Sequence, residues 1–217
     1  SCTCSFSAVS GPVASLLING LAFDPAQPRR LWISGTGEGT LSAVYRSEDA
    51  GQSFTLVRPL DAAQDPAQHL LRGLALASDG RLHVLAGTGA QQDQPVVYTS
   101  SDGGQRFATT ALQPLPDRVA AARSRLLGAD ARDGAVVYVA LQGDSEHTLL
   151  RVDTARGVTT ELLRTPGYLF EVKTDAARDR LLVATVQGIY QADGAGPLRR
   201  LGGLQQAQCL DLPDEDP

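Results

Sequence analysis

The sequence predicts an all-β chain of repeated four-stranded antiparallel sheets, and three observations predict it. Two eight-residue segments, Ser47 to Phe54 and Ser100 to Phe107, both read S-x-D-x-G-Q-x-F, and a tyrosine, Tyr45 or Tyr98, stands two residues before each. They are 100 − 47 = 53 residues apart. A pattern of apolar strand, Gly/Asp turn and second apolar strand occurs four times along the chain. No long window keeps the i, i+3, i+4, i+7 apolar spacing of a helix. Four short strands per repeat of roughly 40–50 residues is the anatomy of a propeller blade.

Each unit follows from its residues. The first runs Gly20-Leu-Ala-Phe-Asp-Pro25 and then Arg30-Leu-Trp-Ile-Ser-Gly-Thr-Gly37. It continues with strands at 43–46 and 54–58. The second runs Gly73-Leu-Ala-Leu-Ala-Ser-Asp-Gly80 and then Arg81-Leu-His-Val-Leu-Ala-Gly-Thr-Gly89. Its later strands fall at 96–99 and 107–112. Weaker copies begin at Leu126 and Phe170, each followed by an apolar run, 135–140 and 180–185. Glycine, aspartate and proline punctuate these runs as turn residues do. The segment 116–127 is the best site for a short helical turn, between the second and third units. Blades are expected at about 18–60, 70–113, 124–165 and 168–203 of a single domain covering 1–217. The segments 5–15 and 207–212 are expected to contribute to a closing blade. That gives four to five blades, with room for the chain to be part of a larger propeller.

The eight-residue motif resembles the Asp-box, or BNR repeat, of sialidase-like and sortilin-like propellers. In that family it forms the turn between the third and fourth strands of a blade. The chemistry of the residues agrees. Asp49 and Asp102 can accept backbone N–H bonds within the turn. Gly51 and Gly104 permit the positive φ that a tight turn needs. Ser47 and Ser100 can bond back across it, and Phe54 and Phe107 restart the apolar strand. The resemblance covers about residues 16–204, with degraded motifs at 151–157 and 190–196. These boxes are expected to be structural staples on the rim.

Composition narrows the function. The chain has 217 residues and a net charge of −5, with no clustered basic face. Nucleic-acid binding needs such a face, so it is excluded. No apolar run approaches the ~18 residues of a membrane-spanning helix. The chain has no methionine, so Ser1 is expected to be a processed end or the start of a fragment. Lys173 is the single lysine amid abundant arginine, alanine and glycine, a codon usage expected of a GC-rich bacterial genome. The acidic tail 211–217 reads as a solvated end.

Cys2, Cys4 and Cys209 stand at the two extremes of the sequence. They lack zinc-ligand and haem-attachment spacing, so no metal or cofactor is expected. A ring brings its chain ends together, and a bridge from Cys2 or Cys4 to Cys209 would tie it shut. Such a bridge contributes about 4–5 kcal/mol in the loop-entropy account. It implies an extracytoplasmic compartment, whether periplasm, cell surface or medium. The third cysteine then allows an intermolecular disulfide or self-assembly.

Catalytic patterns are missing. The resemblance implies, for the enzymes of the family, an arginine triad, a tyrosine paired with glutamate, an acid/base aspartate and an Arg-Ile-Pro sequence. No Arg-Ile-Pro is present. Tyr45, Tyr98, Tyr138 and Tyr190 occupy repeating strand positions, where packing explains them. Tyr168 has Glu171 three residues on, which on a strand faces the opposite way. His69, His83 and His147 have no partner at a diagnostic spacing. The Gly-rich stretches at 36–39 and 87–89 lack the strand–loop–helix context of a phosphate loop. The reading is a non-catalytic binding or structural scaffold for a protein or glycan partner. A divergent sialidase-type glycoside hydrolase and an assembly factor for a larger complex are the alternatives.

Overall fold

The computed structural model describes residues 13–36, 42–57, 70–87, 95–112, 124–143 and 146–201. They form sixteen strands in four separate sheets, with no helix among the described residues. Blade one holds β1 (Leu17–Phe23), β2 (Leu31–Thr36), β3 (Ser42–Ser47) and β4 (Thr55–Val57). Blade two holds β5 (Leu70–Leu76), β6 (Leu82–Gly87), β7 (Val96–Ser100) and β8 (Ala108–Ala111). Blade three holds β9 (Ser124–Ala129), β10 (Val136–Gln142), β11 (His147–Asp153) and β12 (Val158–Thr165). Blade four holds β13 (Leu169–Asp175), β14 (Arg180–Thr185), β15 (Gly188–Asp193) and β16 (Arg199–Arg200). Each sheet is an antiparallel meander in chain order. The first strands of successive sheets lie against one another, β1 on β5, β5 on β9 and β9 on β13. They are therefore the inner strands, and the architecture is that of a β-propeller. Where a helical turn was expected, 124–127 belongs to β9, because Leu126 is needed in the core. Residues 116–123 lie outside the described residues.

Strand alternation explains why the second strands read as continuous apolar runs. In β10, Val137, Val139 and Leu141 face blade two, packing with Leu85, Val97 and Leu112. Val136, Tyr138 and Ala140 face blade four, packing with Leu169, Val172 and Val183. In β6, Leu82, Val84 and Ala86 turn towards blade one, where Trp32, Val44 and Val57 meet them. Both faces of these strands are covered, so a polar face would have no solvent to meet. A fully buried Val or Leu contributes about 1.5–3 kcal/mol, so the three inter-blade layers are the main source of stability. Among the described residues no core cluster joins blade four to blade one. Leu31 and Ile33 instead form a layer with Val13, Leu16, Tyr45 and Phe54 on the outer face of blade one. On the same blade Leu17, Leu21, Phe23 and Leu56 are exposed.

Every inner strand carries an irregularity. Register shifts occur between Ile18 and Gly20, between Leu71 and Leu74, and between Leu169 and Glu171. In blade three the shift leaves Leu127 unpaired between Leu126 and Gly128. Gly20 is demanded there by close approach: a Cβ would lie 2.7 Å from the Leu74 backbone nitrogen of the next blade. The bulges bend the inner strands and place extra side chains at the blade junctions.

Candidate functional site

The two boxed turns sit between the third and fourth strands of blades one and two. Ser47 Oγ accepts the Gly51 N–H at 2.8 Å, and Ser100 Oγ accepts the Gly104 N–H at 2.8 Å. Each serine hydroxyl donates to its aspartate at 2.8 Å. Asp49 accepts the Ser53 N–H at 2.8 Å, while Asp102 accepts those of Gln105 and Arg106 at 2.9 and 3.0 Å. Bonds from the Ser53 hydroxyl and backbone, and then from Ser47, hold the Asp49 carboxyl at about 2. The Arg106 backbone and Ser100 lower that of Asp102 in the same way. Gly51 and Gly104 have φ of 88° and 93°. Phe54 and Phe107 stand just before β4 and β8, half-buried, Phe54 against the outer layer of blade one and Phe107 against the layer between blades one and two. All eight residues serve the hairpins, and none lies on an inner strand.

The second boxed turn also reaches across to the preceding blade. Arg46 on β3 donates to the Gly103 carbonyl at 2.9 Å, and a Cβ on Gly104 would meet Val57 Cγ1 at 2.5 Å. The corresponding turn of blade three offers the Thr154 carbonyl to Thr110 of blade two at 3.3 Å. A turn therefore caps the outer strands of the blade before it.

The strongest polar network lies between blades three and four. Asp130, 2% exposed, accepts two bonds from the fork of Arg132, at 3.0 Å from Nε and 2.8 Å from Nη2. The Tyr138 hydroxyl donates to Oδ2, the oxygen that Nη2 also reaches, at 2.5 Å. Arg132 also pairs with Asp179 of blade four. Burial pushes the Asp130 carboxyl up, but the bonds from Arg132 and Tyr138 outweigh it and hold the group at about 2. Burial first, and then the carboxylate it donates to, push the Tyr138 phenol well above its ordinary value. This network closes one end of a cleft of about 990 Å³, which Arg151, Glu161 and the turn Gly194–Leu198 also line.

The other titratable groups are equally committed. His83 is fully buried between Thr99 Oγ1 at 3.0 Å and the Gly134 carbonyl at 2.8 Å. Burial lowers its pKa. His147 begins β11, with its ring 4.4 Å from that of Tyr168. Tyr168 does not meet Glu171, which instead pairs with Lys173 at 3.2 Å. Glu161 and Arg164 form a two-bond pair at 3.1 and 2.8 Å, because the bulge at Leu162 returns them to one face. Cys2, Cys4, Cys209, His69 and the acidic tail lie outside the described residues. Among the described residues no group of His, Cys, Asp and Glu could hold a metal ion.

One arrangement was legible in the repeat but goes unnoticed in a motif search. Asn19, Arg72 and Arg125 are spaced 72 − 19 = 53 and 125 − 72 = 53 residues apart, one on each of the inner strands β1, β5 and β9. Their strands touch at these points. The Asn19 amide donates to the Leu71 carbonyl at 2.7 Å, and a Cβ on Gly73 would lie 3.4 Å from that of Leu126. Among the described residues neither arginine has a carboxylate partner, and the buried Arg72 Nε has no hydrogen-bond acceptor.

Comparison with known proteins defines the class and stops there. No family model matches the chain, and no curated protein matches it. Solved structures do. The xyloglucanase of glycoside hydrolase family 74 from Xanthomonas campestris superposes with a TM-score of 0.64 at 18% identity, over 87% of this chain and 31% of that one. A structure of a nidogen/laminin complex gives 0.62 at 16% identity, over 89% and 68%. The Hadza microbial sialidase Hz136 gives 0.57 at 11% identity, over 89% and 47%. The chain thus spans less than half the length of the two enzymes. These likenesses define a β-propeller fold that serves enzymes and non-enzymes alike. Among the described residues no helix is long and apolar enough to cross a membrane.

Proposed function

We propose that the chain is a non-catalytic β-propeller module of the Asp-box kind, acting outside the cytoplasm and binding an acidic group of a protein or glycan partner at its inner strands. The observation that carries this reading is the pair Arg72 and Arg125. They recur at one repeat position on touching inner strands, without carboxylates to neutralise them. Arg125 is exposed and Arg72 half-buried, so both are open to a ligand carboxylate, which takes the fork of an arginine with two bonds. The reading against hydrolysis is supported by the sequence, which has no Arg-Ile-Pro. A sialidase-type enzyme remains the second reading, because paired arginines are half of what it needs.

One experiment separates them. A fluorogenic sialoside assay is run beside an array of acidic and neutral glycans and a pull-down, with wild type, Arg72→Gln and Arg125→Gln. The binding reading expects no turnover, and capture of an acidic ligand or protein that falls at least tenfold in both variants. Turnover lost in Arg125→Gln would establish the enzyme instead. Capture unchanged in both variants would remove the inner strands from the site.

A further inference from the structure

The cleft between blades three and four is the gap left by a missing cap. The register shows which residues correspond: Trp32 pairs with Arg46, His83 with Thr99, and Tyr138 with Arg151. Arg46 and Arg151 are thus the same position of the blade. Arg46 is satisfied twice, by the Gly103 carbonyl at 2.9 Å and by Glu48 at 3.0 Å. Arg151 makes neither contact and has no partner among the described residues. The cause lies in the following blade. The boxed turn that caps Arg46 runs seven residues, 101–107, between β7 and β8. Its counterpart in blade four runs five, 194–198, between β15 and β16, and lacks the motif. The shorter turn stops at the far wall of the cleft.

We infer that this cleft receives a glycine-containing turn of a partner protein, whose main-chain carbonyl caps Arg151 and whose basic side chain meets the acidic rim. The molecule's own solution at blades one and two is such a turn. The rim supplies the second half of the specificity. Of the lining carboxylates, Asp130 and Asp179 are paired with Arg132 and Glu161 with Arg164, which leaves Asp133 as the one without a cation among the described residues. That carboxylate favours a basic ligand group over an acidic one. A volume of about 990 Å³ is at the upper end of ordinary ligand sites and suits a short peptide turn. This site is separate from the inner-strand arginines, and either can fail without the other.

The probe is a cyclised, fluorescein-labelled peptide carrying residues 98–109, the turn that fills the equivalent gap and which includes Arg106. Fluorescence anisotropy is measured against the full chain. Saturable binding is expected, weakened at least tenfold by Arg151→Gln and by changing Arg106 of the peptide to Gln, and unaffected by Arg29→Gln on the opposite end blade. A chain in which 194–198 is replaced by the sequence of 101–107 should no longer bind, with a raised melting temperature. No saturable binding at millimolar peptide, or equal affinity for Arg151→Gln, would overturn the proposal. Sedimentation showing self-association of the wild type that Arg151→Gln abolishes would assign the cleft to a second copy, and would overturn it too.

Discussion

Replacing Tyr138 by phenylalanine removes one hydroxyl from a closed network and leaves the packing nearly unchanged. The lost bond is the 2.5 Å donation to Asp130, whose carboxyl is 2% exposed. A hydrogen bond to a charged group contributes about 1.5–3 kcal/mol. Arg132 still holds the carboxylate with two bonds, so the charge is not orphaned and the loss should stay within that range. For a domain of this size each kcal/mol lowers the melting temperature by about 2–4 °C, so a fall of about 3–12 °C is expected at pH 7. The pH dependence isolates the cause. The Asp130 carboxyl sits at about 2 in the folded protein and about 3.9 in an unfolded chain. Its stabilisation is fully present above the unfolded value and is lost as pH falls through about 2. That interval corresponds to about 2.5 kcal/mol. The gap between wild type and Tyr138→Phe should therefore narrow as the pH approaches 2. Thermal unfolding followed by circular dichroism at pH 7, 4 and 2.5 measures it. Equal melting temperatures at pH 7 would refute the network argument. A gap unchanged at pH 2.5 would show that packing, not the charged bond, was lost.

Three further outcomes follow from named geometry. Gly104→Ala should cost about 1–3 kcal/mol from its clash with Val57 and about 1 more from its left-handed backbone, whereas Gly157→Ala, with nothing within 4 Å, should cost only the latter; urea unfolding of both variants tests the difference. His83 has its pKa lowered by burial, so an unfolded chain takes up its proton first; stability should decline as pH falls below about 6.5, and His83→Gln should flatten that limb of a calorimetric pH series. Cys209 is expected to be bridged to Cys2 or Cys4, which non-reducing peptide mapping will show, and three freely alkylated thiols would exclude it.

The fold was legible because its signal is periodic. The boxed turns, the 53-residue spacing and the apolar runs at 135–140 and 180–185 all reflect backbone requirements that repeat with each blade. The sites were less legible because they arise where repeats differ. Arg72 and Arg125 follow the period but belong to no motif. Arg151 looks like any strand arginine until its counterpart, Arg46, is seen capped by a turn two residues longer than the one available to it. The Asp130 network joins residues of two blades, and no local spacing announces Asp179 as its far anchor. Tyr138 was correctly assigned to packing, but its hydroxyl chemistry depended on which way β10 faces.

The capping of each blade by the turn of the next gives the array a direction. Blade one is held from ahead by Gly103, and blade two by Thr154, but among the described residues blade three receives no such carbonyl at Arg151. Blade four ends on a two-residue strand. Repeat arrays behave as one-dimensional stacks, in which each unit draws its stability from its neighbours. Opening should therefore begin at blade four, whose junction lacks this cap, and travel backwards. Amide exchange would show this as a gradient, fastest in β15 and β16 and slowest in β6 and β10. A binding event that fills the junction of blades three and four would then slow exchange far from the residues it touches.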